Sequence, residues 1–325
     1  MFAYILRRLL YAIPILIGVN LLTFVLFFVV NTPDDMARLQ LGAKHVTPDA
    51  IERWKVEHGY DKPLLLNRKA TGSAQFTDTI FFRHSAAMFA FQFGKGDDGR
   101  DIANEIRTRM GPSLAIALPV LIIGLMVNIT FALLMVFFRA TYLDLWGVVL
   151  CVVLMSISGL FYIIAGQYFI AKLWNLLPIS GYAGGIDGFR FILLPVLVSV
   201  AAGIGSGARW YRTIFLEEIG KDYVRTARAK GLSEVRVLFR HVLKNGMIPI
   251  LTGVVVLLPL LFMGSLITES FFGIPGLGSY TIDAIQAQDF AVVRAMVFLG
   301  SFLYIVGLIL TDISYSWVDP RVRLQ

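Results

Sequence analysis

Six stretches of this chain contain no Asp, Glu, Lys or Arg: residues 9–30, 112–138, 145–171, 191–208, 245–268 and 295–311. They run from 17 to 27 residues, and a helix crosses a bilayer in about 20, since the hydrocarbon is about 30 Å thick and each residue rises about 1.5 Å. The pattern predicts an all-α membrane protein with six transmembrane helices. A membrane β-barrel would show segments of about 10 residues alternating apolar and polar, and that alternation is absent. Composition agrees: 57% of the 325 residues are hydrophobic and 16% charged, against about 45–50% and about 25% in soluble domains, with a mean hydropathy of +0.72. A freely soluble enzyme and a disordered chain are both excluded. The single cysteine, Cys151, cannot close an internal disulfide or a thiolate metal cluster, and its uncharged surroundings predict a buried, inert thiol.

The net charge of +7 would suggest a polyanion partner in a soluble protein, but its placement points to topology instead. Arg7 and Arg8 put the N-terminus on the cytoplasmic side. Alternating from there, the inside segments are 1–8, 139–144, 209–244 and the tail, so both termini are cytoplasmic. The outside connections 172–190 and 269–294 hold Lys172, Arg190 and Arg294, all near helix ends where long stems are expected to snorkel. Segment 31–111 carries 12 basic and 11 acidic residues, but a loop of that length crosses largely regardless of charge. The chain thus divides into an N-terminal segment and first span (1–30), a large extracytoplasmic region (31–111) and a five-helix core (112–325) with a cytoplasmic segment at 209–245. The first apolar run is longer than a signal-peptide core, of about 7–15 residues, and reads as a retained anchor.

Within 31–111, Thr47 as cap, Pro48 at the first helical position and Gly59 as stop predict a short helix. The aromatic stretch 77–94 is interrupted by Asp78, Arg83 and His84, so it is expected along the membrane face or against the spans. His45, His58 and His84 lack ligand spacing, and no metal is expected.

The segment 209–244 holds nine basic and four acidic residues. Ser233 is a plausible N-cap, after which Val235, Leu238, Phe239 and Val242 share one helical face and Arg236, Arg240 and Lys244 another. Before it, Asp222 is expected to cap a short helix, with Gly231 at the reversal where only glycine turns left-handed without penalty. A basic helical corner of this kind fits either anionic lipid or a cytosolic protein, and the physical pattern alone favours lipid, which is always available.

These residues resemble a known family. The run 222–234, with 240–245 and Pro249, is similar to the cytoplasmic loop of permease subunits in ABC importers, in the oligopeptide and dipeptide branch. Residues 4–10 with Pro14 resemble that branch's first-helix entry, 59–64 its outer-loop motif, 264–272 with 274–278 its fifth-helix exit, and 318–322 its tail. The general importer loop opens Glu-Ala-Ala with a later glycine; here Arg225, Thr226 and Ala227 stand at those positions, so that Ala227 and Gly231 match, and Lys244 replaces a proline.

The resemblance implies an ABC type I importer permease-like fold whose coupling helix lies between the fourth and fifth spans, with Arg225, Thr226, Ala227, Arg228, Gly231 and Leu232 meeting an ATPase. It implies two ATP-binding subunits, a second homologous permease and an extracytoplasmic solute-binding protein as partners, with surrounding lipid and no nucleic acid, in a bacterial inner membrane. ATP and Mg would then belong to the partners. Consistently, the chain has no G-x-x-x-x-G-K-[ST] run to cradle phosphates, so it is not expected to be an enzyme or to carry a cofactor. A peptide is the expected solute; nickel or a glycoside in the same family, or a stand-alone secondary transporter or channel, are the alternatives.

Polar groups inside spans face protein or water rather than lipid, which selects Asn128, Glu269 and Asp312. Asn128 and Glu269 are the candidate pathway residues. Glu269 either meets a peptide's amino group or makes a gate hydrogen bond, and Asp312 is expected to be structural. Gly203, Gly205 and Gly207 predict a close helix contact, and Pro119, Pro195 and Pro259 predict interrupted spans.

Overall fold

The third apolar stretch is the one the fold breaks. In the computed structural model, which describes residues 2–42, 46–185 and 187–318, five helical spans are long and apolar enough to cross a membrane: Leu10–Val30, Ile102–Phe137, Gly188–Ile219, Glu234–Met263 and Phe290–Ser314. The sixth is a pair, Tyr142–Ser156 and Gly159–Leu173, bent by 87° at its join. The sequence predicts one span over 145–171, and the bent pair occupies that place. Between the two helices Ile157 and Ser158 take extended backbone, and the phenol of Tyr162 donates to the Leu154 carbonyl at 2.8 Å, so one carbonyl freed by the break is not left bare in an apolar setting. The prolines act otherwise than expected: the helices run through Pro119 and Pro195 without a break, while Pro259 stands one residue before its helix ends.

We label the helices α1 (Phe2–Phe24), α2 (Pro33–Leu41), α3 (Pro48–Glu57), α4 (Ala74–Thr77), α5 (Ile102–Phe137), α6 (Tyr142–Ser156), α7 (Gly159–Gly166), α8 (Gly188–Ile219), α9 (Asp222–Ala229), α10 (Glu234–Val237), α11 (Lys244–Leu260), α12 (Leu266–Phe272), α13 (Leu277–Ala287) and α14 (Phe290–Val318). Among the described residues the sole β-pairing is one isolated bridge, Lys95 with Asp101. His45 and the tail motif from residue 319 onward lie outside the described residues. The described residues group into two compact units, those within 2–109 with 280–309, and those within 110–279 with 310–318.

In the first unit the end of the first span and the residues that follow it build an aromatic core. Phe24, Phe28, Met36, Trp54, Tyr60 and Ile80 are buried together. Helix α2, which the sequence pattern did not reveal, starts with a capping box between Thr32 and Asp35. Helix α3 begins at Pro48 as expected, although the Thr47 side chain makes no cap bond. Phe89 and Phe91 pack edge-on against Phe298 and Phe302, so part of the aromatic stretch 77–94 rests on the last span. Arg294 does not snorkel. It is 2% exposed, its guanidinium lies 4.5 Å from the Phe28 ring centroid, and it donates to the Tyr60 hydroxyl at 3.1 Å and the Phe290 carbonyl at 3.2 Å. Arg294 sits in the first turns of α14, and the aromatic cage replaces the water that a snorkelling head would reach.

This cage sets a pH response. Burial, and then the Arg294 charge, hold His84 down to about 4, so the unfolded chain takes up a proton below about pH 6.5 while the folded chain resists until about 4. Stability is lost as pH falls through that window. His58 has the opposite sign: Asp97, 3.3 Å away, raises it, and that contribution is full on the acid side and fades as pH rises past the raised value. The larger His84 effect is expected to dominate, costing on the order of 2 kcal/mol between pH 7 and 4.5. Thermal unfolding of the wild type and His84→Gln across this range checks it; equal pH slopes would refute the assignment.

In the second unit α6 lies along α8. A Cβ at Gly205 would fall 2.6 Å from the Cys151 carbonyl oxygen, so the glycine is what permits this approach, and Cys151 is fully buried as expected. At the first turn of α6, Asp144 accepts two bonds from Arg212, both 2.8 Å. Gly207 packs on the Asn128 amide, whereas Gly203 faces open space, so the small-residue face is a contact at two of its three glycines.

Candidate functional site: a three-helix groove and a basic corner

Two cavities, of about 620 and 400 Å³, lie end to end in the second unit, with Val120, Leu121, Ser199 and Leu257 lining both. Their walls follow helical stripes. On α5 the stripe is Ser113, Ala117, Val120, Leu121, Gly124 and Asn128, at spacings of three and four residues that place them on one face. On α8 it is Ser199, Ala202, Gly203 and Trp210, and on α11 Pro249, Gly253, Leu257 and Leu260. Three helices therefore share one groove running from Asn128 and Tyr211 at one end to Ser113 and Glu269 at the other. Gly124, Gly203 and Gly253, one from each helix, meet nothing within 4 Å of a would-be Cβ. The glycines widen the groove rather than tighten a contact.

Both pathway candidates line this groove, in different states. Asn128 is 9% exposed, and its Oδ1 has no partner among the described residues; a buried carbonyl of this kind retains an unmet acceptor. Glu269 is 1% exposed, and its carboxylate is engaged by backbone. Ser265 N–H donates to Oε1 at 3.2 Å, and Gly278 and Ser279 N–H donate to Oε2 at 2.7 and 3.1 Å. Burial pushes its pKa up, while the Ser113 hydroxyl and these amides pull it back. The fifth span ends at Met263, so Glu269 lies beyond it, on the separate short helix α12. Asp312 is half-buried in α14. Ser113, which composition did not single out, both bonds Glu269 and accepts from Leu277 N–H at 2.8 Å.

At the Asn128 side of the same unit, α9 and α10 form the basic corner. Gly231 has φ +76° and nothing within 4 Å of its would-be Cβ, so the demand on this position is conformational rather than spatial. Arg228 clamps the corner, donating to both carboxylate oxygens of Glu234 at 2.8 and 3.2 Å. Val224 and Ala227 are buried in a core with Phe215, Ile219, Val237 and Val242, and Leu232 packs on it half-buried. Arg225, Thr226 and Gly231 remain exposed. The six corner candidates thus separate into a seated set, Ala227 and Leu232; a clamp, Arg228; and an outward set, Arg225, Thr226 and Gly231. Two local expectations are corrected. Asp222 is the first helical residue, with Lys221 at the cap position. The buried row after the corner is Val237, Leu238 and Val242, while Val235 and Phe239 are exposed; residues Leu238–Leu243 wind as a wider π-helical turn.

Residues 109–324 match the family described as the binding-protein-dependent transport system inner membrane component, and residues 1–95 match the N-terminal region of such membrane components. A Brucella abortus (strain 2308) protein that carries a peptide transport system permease name is 31% identical over 99% of each chain. The dipeptide transport system permease protein DppB of Escherichia coli (strain K12) is 29% identical over 99% of each. The oligopeptide transport system permease protein AppB of Bacillus subtilis (strain 168) is 27% identical over 99% of this chain and 100% of that protein.

Proposed function

Because the chain belongs to the family of binding-protein-dependent transport system inner membrane components, we propose that it forms half of the route by which an ATP-driven importer carries peptides across a bacterial inner membrane. The groove carries the reading: α5, α8 and α11 supply one wall of a trough lined by small, apolar and neutral polar groups, with Glu269 at one end. A second homologous permease would close it. Peptide as the solute rests on the names of the relatives; nickel or a glycoside is the same-family alternative.

In this reading the outward residues Arg225, Thr226 and Gly231 dock on a cytosolic ATPase that supplies both ATP and Mg. The corner sits on the same buried core as the inner ends of α5 and α8, so a shift of the ATPase would tilt the groove walls and bias two states of one element. Both termini would be cytoplasmic, and an extracytoplasmic binding protein would deliver the solute.

Gly124→Phe tests the groove. Gly124 lines the cavity and a Cβ there meets nothing within 4 Å, so the variant is expected to reach the membrane in normal amount yet lose at least about ten-fold in labelled-dipeptide uptake, while Gly124→Ala stays near wild type. Wild-type uptake by Gly124→Phe would remove the groove as the route. Dipeptide flux into vesicles holding this chain alone would instead favour a stand-alone transporter.

A further inference from the structure

The carboxylate of Glu269 is arranged as a fastening. It accepts backbone N–H bonds from Ser265 on one side of α12 and from Gly278 and Ser279 at the start of α13, and a hydroxyl bond from Ser113 on α5. Three separate segments therefore converge on one side chain that is 1% exposed. The surrounding backbone is shaped around it: a Cβ at either Gly264 or Gly276 would overlap the carboxylate. Ser113 adds a second tie by accepting from Leu277 N–H at 2.8 Å. With its acceptor sites taken up in this way, the group has little left to offer a passing ammonium. Yet Gly264, Ser265, Thr268 and Glu269 all line the end of the groove remote from the basic corner.

Resting on the transport reading above, we propose that Glu269 is a gate-positioning residue: it pins residues 264–279 to α5 so that this segment closes the far end of the groove, and it does not bind the solute. The inference follows from geometry. Four donors fixed on one acceptor side chain are directional bonds in a water-poor site, and replacing one carboxylate oxygen by an amide group disturbs them together while hardly changing side-chain volume. A solute-binding carboxylate would instead present a free oxygen to the cavity.

The test uses the complete importer, purified with the partner subunits that copurify with this chain and placed in vesicles, with a labelled dipeptide as probe. Glu269→Gln is expected to fold and assemble but to leak: passive dipeptide efflux without ATP, per assembled complex, rises roughly ten-fold, and ATP hydrolysis loses much of its dependence on solute. Ser113→Ala, which removes one tie and leaves the carboxylate, is expected to show the same change in smaller measure. If Glu269 bound the solute, Glu269→Gln would raise the dipeptide concentration for half-maximal uptake with no leak, and the proposal would be overturned. Unchanged leak and coupling in both variants would overturn it as well. The wild type separates the two levels of the argument: if it shows no ATP-driven dipeptide uptake, the transport reading itself fails; if it transports and the variants match it, the gate assignment alone fails.

Discussion

Replacing Gly231 by valine is expected to abolish ATP-driven uptake while leaving the chain inserted and folded. The position has φ +76°, which costs an ordinary residue about 1–2 kcal/mol and a β-branched one more. A Cβ at this exposed position meets nothing within 4 Å, so the penalty is expected as a redirected corner rather than as a broken core. Two features limit its spread. Val224 and Ala227 stay seated on the Phe215 and Val242 core, and the spans contribute no residue to the turn. The Arg228–Glu234 clamp bridges the turn directly and is expected to break when its two helices change angle, moving Arg225 and Thr226 out of register with a docked ATPase. Gly231→Asn provides the control, because asparagine tolerates left-handed backbone, and should keep a substantial part of the activity. Uptake per inserted chain, measured with ATPase copurification, checks both variants. Unchanged ATP-dependent uptake by Gly231→Val would count against docking at this corner.

Much of this corner was legible beforehand because its signals are local. A glycine between two short basic helices specifies its own conformation, and an uncharged run of about 20 residues specifies a span whatever lies beside it. The same logic failed where tertiary partners decide. Nothing in 145–171 marks the break at Ile157 except a Ser-x-Ser-Gly sequence, and what supports the break is a Tyr162 hydroxyl five residues further on. Arg294 looked like a snorkelling end residue, since its aromatic cage comes from Phe28 and Tyr60, more than 200 positions away. Periodicity puts Val235, Leu238, Phe239 and Val242 on one helical face but does not say how much of that face is covered: Leu238 and Val242 are buried, while Val235 and Phe239 stay exposed.

The groove was half legible. Intramembrane polarity selected Asn128 and Glu269, and both line it. Polarity says nothing about satisfaction, however: one of these side chains keeps an open acceptor and the other has its oxygens occupied. Ser113 carries no such flag, since serine is common in spans. The open glycines 124 and 253 differ from the packed Gly205 only in what stands opposite them, which a single sequence does not encode in any local pattern.

Removing the Asp144 carboxylate is expected to be the most destabilising single change at the junction between the helix pair α6–α8 and the corner. Arg212 spends its Nε and Nη2 donors on Asp144, both at 2.8 Å, with side-chain exposures of 22% and 11%. Breaking a fully buried pair costs about 3–5 kcal/mol because a charge is left without a partner; the residual exposure lowers this to about 2 kcal/mol. Asp144→Ala should therefore lower the unfolding midpoint in detergent, and Arg212→Lys should do so less, keeping the charge but losing the planar two-bond fit. Asp144→Ala with Arg212→Met, which removes both charges, should recover much of the loss, because the penalty lies in the orphaned guanidinium and not in the missing attraction. In the proposed coupling the pair would also have a place in transmission. Arg212 lies two turns before the end of α8 at Ile219, so it fastens to α6 the same helix that leads into the corner. A force arriving at α9 would then move α6 and α8 together, and Asp144→Ala should reduce uptake more than it reduces the amount of inserted chain. A double-mutant cycle read by both unfolding and uptake measures the two effects separately; additive losses in the cycle would mean that Asp144 and Arg212 do not act as a unit.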